Sequence, residues 1–153
     1  MAKTPFPVPP PVWAAVAVAA QLAIAGRRRP ARTSTAAAGL VAGGAATVAS
    51  CAISEFARAR TTIDPEHPDR AAVLVMGGPF RLTRNPMYLA LTGLLVAHAV
   101  YRRSWWALAP AAGFVAVIDR VQIPAEEAAL RRRFGRRYDR YRARVPRWLG
   151  VSG

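Results

Sequence analysis

The chain is poor in most of the side chains that soluble enzymes use for chemistry. It has one cysteine, Cys51, so no internal disulfide can form, and nothing argues for a secreted, disulfide-stapled scaffold. Histidine occurs only as His67 and His98, and no Cys/His/Asp cluster has metal-ligand spacing, so no metal site is expected. No Ser-His-Asp set is visible. No glycine-rich turn follows a strand-like run and no β-α-β alternation exists, which removes the dinucleotide-binding folds. Acids are scarce as well: 8 Asp and Glu stand against 22 Lys and Arg, a formal net charge of +14.

What the chain has in quantity is apolar surface, 53% of its 153 residues, and it is segregated from the charge. Apolar blocks occupy Val12–Ala25, Ala36–Ile53, Met87–Tyr101 and Ser104–Ile118, and nearly all basic residues lie between or after them. Each block falls somewhat short of the roughly 20 residues of an untilted spanning helix, but flanking Pro, Trp, Tyr and Arg complete a crossing by snorkelling and interfacial anchoring. The pattern predicts an all-α membrane protein of about four transmembrane helices, one domain over residues 1–153 with N-terminal helices in 12–53. A soluble basic bundle is the alternative. It needs amphipathic stripes, and Ala36–Ile53 has no polar face beyond Thr47, Ser50 and Cys51. Gly39, Gly43 and Gly44 would each weaken an aqueous helix by about 1 kcal/mol relative to Ala, whereas in lipid such small residues let neighbouring helices approach.

Lys3, the first apolar run and Ala23-Ile24-Ala25 resemble a secretory signal with a small-residue cleavage site. The early prolines and the flank "RRRPAR" favour a retained helix instead. With four spans, the N-terminus, residues 54–86 and the tail after 123 share one side and carry fifteen basic residues; Arg27, Arg28, Arg29, Arg32, Arg102 and Arg103 lie on the other. The positive-inside rule puts the larger set, and both termini, in the cytoplasm, the cell membrane being the expected location.

Residues 131–147 carry nine arginines among aromatics. No groove-reading element or stacking platform accompanies them, so nucleic acid is not the expected partner. Anionic lipid headgroups account for the charge at roughly 1 kcal/mol per basic side chain near the surface. Glu127, Leu130, Phe134, Tyr138 and Tyr141 recur at spacings of three and four, which predicts one face of an amphipathic C-terminal helix opened by Pro124 and packed on the membrane domain. Glu126 and Glu127 are ordinary N-terminal helix charge on the simplest reading. Their company changes that: the loop "GGPFRLTRNPMY" and the two acids are both delivered to the same membrane surface by the predicted spans.

Together these stretches carry a resemblance. Gly78, Phe80, Arg84-Asn85-Pro86-Met87-Tyr88, then Glu126-Glu127, Leu130, Phe134-Gly135, Tyr138, Tyr141, Val145 and Pro146 resemble the isoprenylcysteine carboxyl methyltransferases and their relatives, the phospholipid N-methyltransferases. The similarity covers residues 62–149, the expected cofactor-binding core. It implies an integral-membrane enzyme that takes a methyl group from S-adenosylmethionine and gives it to a lipophilic small molecule, with a phospholipid amine as the alternative acceptor. A non-catalytic adaptor for anionic lipid is the reading from another class. By this resemblance Ala72, Val73, Leu74 and Val75 lie along the cofactor with Phe80, Asn85, Pro86, Met87 and Tyr88 wrap it, and Glu126 accepts from its α-ammonium group. Arg84 and Glu127 are the implied catalytic pair; Arg84 holds Glu126 or Glu127, or meets the cofactor carboxylate bidentately.

One position departs from the pattern. Where prenylcysteine enzymes have an arginine for the substrate carboxylate, four residues before the first Glu, this chain has Gln122, which brings no charge; Arg120 lies nearby but elsewhere on the helix. Gln122 is therefore the candidate substrate-binding residue, and the acceptor need not be a prenylated carboxylate. His98, an ionisable residue inside the third apolar block, is either a site residue or a helix-interface partner. Oligomeric state is not written in the sequence. For topology, cysteines placed at Asp69 and Gly150 should resist an impermeant thiol reagent in intact cells while one at Arg103 reacts; the opposite labelling would overturn the charge count.

Overall fold

The computed structural model describes residues 8–26, 30–60 and 73–150, and all regular structure among them is helical. Helix α1 is Pro10–Ala25, with proline at its first positions, where a missing N–H costs nothing. It ends at Gly26, whose φ of 57° a residue with a Cβ adopts only with strain. Helix α2, Arg32–Ala59, starts where the Ala31 N–H donates to Ser34 Oγ at 3.0 Å. A 3₁₀ turn, Gly78–Arg81, precedes α3, Pro86–Tyr101. A second 3₁₀ turn, Trp105–Ala107, leads into α4, Leu108–Val117, a π-helical turn Ile118–Gln122, and α5, Ile123–Phe134. The short α6, Arg136–Arg142, follows Gly135.

Each predicted apolar block is thus a helix, but the blocks differ in reach. Two helices are long and apolar enough to cross a membrane, Arg32–Ala59 and the continuous Trp105–Phe134. Helices α1 and α3 have 16 residues each, about 24 Å at 1.5 Å per residue, less than the roughly 30 Å of a hydrocarbon core. The helices run up and down. The end of α1 lies at the end of α3, where Arg102 donates to the Gly26 carbonyl; the end of α2 lies at the start of α3, where Phe56 meets Phe80 edge-on with centroids 5.3 Å apart. Ala17 of α1, Tyr88 and Leu95 of α3, Ala111 and Phe114 of α4, and Ile118 and Ile123 beyond it form the main core.

Two polar or small-residue contacts set the helix registers. Gln21, fully buried on α1, donates through Nε2 to the carbonyls of Leu95 at 2.9 Å and Ala107 at 2.7 Å. That orientation turns its Oε1 to His98 Nδ1, 2.8 Å away, so the His98 nitrogen is the donor. His98 is therefore an interface partner joining α3 to α1, about 15 Å along the helix from Tyr88 at 1.5 Å per residue. Between α2 and α3 the close approach is at Gly93, where a Cβ would stand 2.9 Å from that of Ala45. The expectation for Gly39, Gly43 and Gly44 is corrected here: nothing lies within 4 Å of a Cβ built on any of them, because they face away from α3.

The tail meets expectation in part. Pro124 stands in the first turn of α5, as expected, but α5 is not a separate helix and does not run through the whole expected face. The Ile123 N–H reaches back to Ile118 O across the π turn, and α5 continues directly from it, with Pro124 in the first turn where its missing N–H is tolerated. The break comes eleven residues later, at Gly135 with φ of 50°, which redirects the chain so that Leu130, Phe134, Tyr138 and Tyr141 still meet, in a second cluster with Leu74 and Val145. Replacing Gln21 by Leu leaves the His98 donor and the Ala107 carbonyl without this partner. The expected loss is about 1–3 kcal/mol of stability, read by thermal unfolding in detergent against the native chain.

Candidate active site

At the start of α3 the backbone is irregular and tied down from several directions. Gly78 takes φ of 51°, and a Cβ on Gly77 or Gly78 would run into the Glu55 carboxylate from the end of α2. Thr83, 1% exposed, donates through its hydroxyl to Arg147 O at 2.8 Å and accepts from the Asn85 N–H at 3.1 Å. The Asn85 amide donates to the same Arg147 carbonyl at 3.0 Å, and the Arg84 N–H to Pro146 O at 2.9 Å. Residues 145–148 therefore form a strap bonded to the loop that carries Arg84 and Asn85.

Beyond that loop, Pro86 is buried at the first position of α3 and Tyr88 points from its first turn to Glu126. The Tyr88 hydroxyl and Gln122 Nε2, the latter at 2.8 Å, both donate to Glu126 Oε1. Gln122 and Glu126 are one turn apart on the helix, as their spacing requires. Glu127, the next residue, faces another way. Its Oε1 lies 3.0 Å from Arg84 Nη2, and Arg147 grips both of its oxygens, Nε to Oε1 at 3.2 Å and Nη2 to Oε2 at 2.9 Å. Arg147 Nη1 reaches Asp119 Oδ1 at 3.2 Å, and the Trp148 indole donates to the same oxygen at 2.8 Å.

The residues outside the helical bundle respond to this burial. The hydrogen bond to Glu127 raises the Arg147 guanidinium above even its ordinary value. Burial pushes the Tyr138 phenol up to about 12, with the nearby Glu127 charge adding to it, and burial likewise pushes Tyr141 up. Both phenols hold their protons, and Tyr141 donates its own to Phe80 O at 2.7 Å.

Of the expected site residues, Arg84, Asn85, Tyr88, Gln122, Glu126 and Glu127 converge at this end of the bundle. Of the three partners open to Arg84, the structure joins it to Glu127. Leu74 and Phe80 are turned into packing, Leu74 on the Tyr138–Tyr141 cluster and Phe80 on Phe56. Val75 and Met87 are half-buried and Val73 is exposed; Ala72 lies outside the described residues. Sequence reasoning passed over Arg147, Asp119 and Trp148. Arg147 was one of nine tail arginines, and its signal was position, immediately after the Val145-Pro146 of the motif. Asp119 carried the other signal, an acid at the end of an apolar block.

Two buried polar atoms here have no hydrogen-bond partner among the described residues, Gln122 Oε1, an acceptor, and Arg84 Nε, a donor. Among the described residues no group of three His, Cys, Asp or Glu is placed to hold a metal. Removing Glu127 would leave two guanidiniums facing each other. Glu127→Ala should cost about 2–4 kcal/mol in detergent unfolding, below the fully buried limit because Arg147 keeps a 31% exposed side chain.

Comparison with known proteins places the chain by sequence. An uncharacterised protein of Haemophilus influenzae is 38% identical over 63 residues, 41% of this chain and all of that protein. No solved structure matches the chain. The profile of the phospholipid methyltransferase family matches residues 33–137, which takes in the Arg-Asn-Pro loop, Tyr88, Gln122 and both glutamates. This chain, with its helical membrane-type architecture, belongs to the phospholipid methyltransferase family.

Proposed function

We propose that the protein transfers a methyl group from S-adenosylmethionine to a lipophilic acceptor that reaches the site from the bilayer. Family membership makes it a membrane methyltransferase acting on lipid-type substrates; cofactor and acceptor are inferred from the site. The observation that carries the reading is the pair of unpartnered buried atoms of opposite polarity, Gln122 Oε1 and Arg84 Nε, on the residues bonded to Glu126 and Glu127. The amino-acid end of S-adenosylmethionine has both an ammonium donor and a carboxylate acceptor. A buried polar atom without a partner costs about 1–3 kcal/mol, which a zwitterion of this kind would relieve at both places.

When bound, S-adenosylmethionine supplies a methyl already activated by its sulfonium, so the protein's work is alignment and exclusion of water. Glu126, oriented by Tyr88 and Gln122, would hold the ammonium, and a carboxylate beside it offsets the cost of removing that charge from water. Val75, Asn85, Pro86 and Met87 would wall the remainder, with Leu74 and Phe80 supporting it from the packing they make with Tyr138, Tyr141 and Phe56. Arg84 and Glu127 would act as the charged edge of the site. Orientation follows the basic residues: the site, both termini and the arginine-rich tail at the cytoplasmic face, with anionic headgroups against the tail. Helices α1 and α3 would complete four crossings with their flanking residues.

Gln122 bears on the acceptor. Its amide donates to Glu126 and, in this reading, its carbonyl faces the cofactor ammonium, so it offers no positive charge to a substrate carboxylate. Both site arginines are engaged, Arg84 by Glu127 and Arg147 by Glu127 and Asp119. The lack of a free cation among these described residues disfavours a prenylcysteine carboxylate and leaves a lipophilic amine or hydroxyl as the better acceptor. Gln122→Arg should therefore raise kcat/KM toward a prenylcysteine analogue that the native enzyme turns over poorly, and brisk native turnover of that analogue would refute this assignment.

Binding of S-adenosylhomocysteine to the detergent-purified protein separates the enzyme from a lipid-binding adaptor, and incubation with labelled cofactor and lipid extract then identifies the acceptor. Glu126→Gln should weaken S-adenosylhomocysteine binding by about 2–5 kcal/mol in calorimetry. An unchanged affinity would remove Glu126 from the ammonium seat.

A further inference from the structure

We propose that Arg147 is the positioning residue of this site: by gripping Glu127 against Asp119 it sets the rotation of α5, and so keeps Glu126 on Tyr88 and Gln122. The inference rests on the proposed role of Glu126 in holding the cofactor.

The need for such a residue comes from the backbone. In an unbroken α-helix each residue inherits its direction from the turn before it, about 100° per residue. Here the turn before the glutamates is π-helical over Ile118–Gln122, and Pro124 donates no hydrogen bond back into it. The helical backbone carries the chain through this turn, but with fewer regular hydrogen bonds, so side-chain contacts made after it contribute to the direction of Glu126. Tyr88 and Gln122 meet Glu126 itself through a single oxygen.

Glu127, one residue on, is held much more firmly. Arg147 takes both of its carboxylate oxygens in a fork, at 3.2 and 2.9 Å, and Arg84 takes Oε1 from the other side at 3.0 Å. A planar guanidinium bound through two parallel N–H groups fixes orientation as well as distance, which an ammonium cannot do. The third nitrogen of Arg147 reaches the π turn itself, at Asp119 Oδ1 at 3.2 Å and the Asp119 carbonyl at 3.3 Å. One side chain thus spans the irregular turn from its beginning to the residue beside Glu126.

Its backbone carries the other half of the device. The Arg147 carbonyl accepts from Thr83 and Asn85, and the neighbouring Pro146 carbonyl from the Arg84 N–H. Trp148 packs on the main core and donates to Asp119. The strap is therefore docked on the α3 loop by its main chain and on the α4–α5 turn by its side chains, so the two elements that build the site are indexed to each other through residues 146–148.

Arg147→Gln and Arg147→Lys in the full-length protein test this. With Arg147→Gln, S-adenosylhomocysteine affinity should fall about 10–100-fold, by analogy with the loss at metal sites when a residue that orients a metal ligand is removed. KM for S-adenosylmethionine should rise with kcat largely retained, and millimolar free guanidinium should restore part of the affinity. Arg147→Lys, which keeps charge but not the fork, should recover little. A lowered melting temperature with unchanged affinity and KM in the folded fraction would overturn the proposal, as would full rescue by lysine. A second readout needs no cofactor: with Tyr88→Cys and Glu126→Cys in a Cys51→Ser background, a short bifunctional thiol reagent should link the pair efficiently when Arg147 is present and poorly with Arg147→Gln. Equal linking would overturn the positioning role. Failure of the native chain to bind S-adenosylhomocysteine would remove the cofactor reading, while the linking comparison would still decide the role of Arg147.

Discussion

The site depends on one carboxylate between two guanidiniums. Glu127 lies between Arg84 and Arg147, with side-chain exposures of 13%, 10% and 31%. Charges this far from water are tolerated only when paired and hydrogen-bonded with good geometry, since the desolvation of each is several kcal/mol. Counter-charge is the scarce material in this chain, with 8 acids against 22 basic residues. Three of those acids, Asp119, Glu126 and Glu127, fall within nine residues of one another, and the structure spends all three at this end of the bundle. The remaining described acids, Glu55 and Asp139, are paired locally with Arg58 and Arg131.

Regular and irregular backbone are divided accordingly. The far end of the bundle is closed by contacts that fix helix registers, Gln21 with His98 and two carbonyls, and Arg102 on the Gly26 carbonyl. These are polar junctions in an apolar setting, and of their buried side-chain atoms Arg102 Nε has no partner among the described residues. The near end has the 3₁₀ turn at Gly78, the π turn at Ile118 and the break at Gly135. Each such departure redirects one element so that side chains from α3, α5 and the C-terminal strap face a common place. A π turn widens the helix by one residue per turn, which is how Asp119 meets the strap while Gln122 meets Glu126.

The site's polarity follows from the same arrangement. Glu126 collects two donors on one oxygen, and the amide that supplies one of them is left with an unpartnered carbonyl. Arg84 is left with an unpartnered N–H. In the proposed reading these two atoms are where the ligand's own donor and acceptor would fall.

Much of this was determined by the sequence alone. Uninterrupted apolar runs bounded by arginine, proline and glycine have few ways to satisfy their backbone except as helices, so the four helical blocks were legible. Helices α1 and α3 were legible to within two residues, while α2 and the last helix extend several residues or more beyond their apolar runs. The coupled Arg-Asn-Pro and Glu-Glu motifs named the family. Composition also showed that charge and apolar surface were segregated. What only the tertiary structure decided were the pairings. Gly93 rather than the glycines of α2 makes the close helix contact, because contact depends on which face a helix turns to its neighbour. Arg84 pairs with Glu127 rather than Glu126, and Arg147, one of nine similar arginines, is the one that closes the site. Periodicity encodes which residues share a face of one helix. A π turn, a glycine break and a strap bonded 62 residues back along the chain, from Arg147 to Asn85, reset those faces relative to one another, and that setting comes from packing and from the demand that every buried charge find a partner.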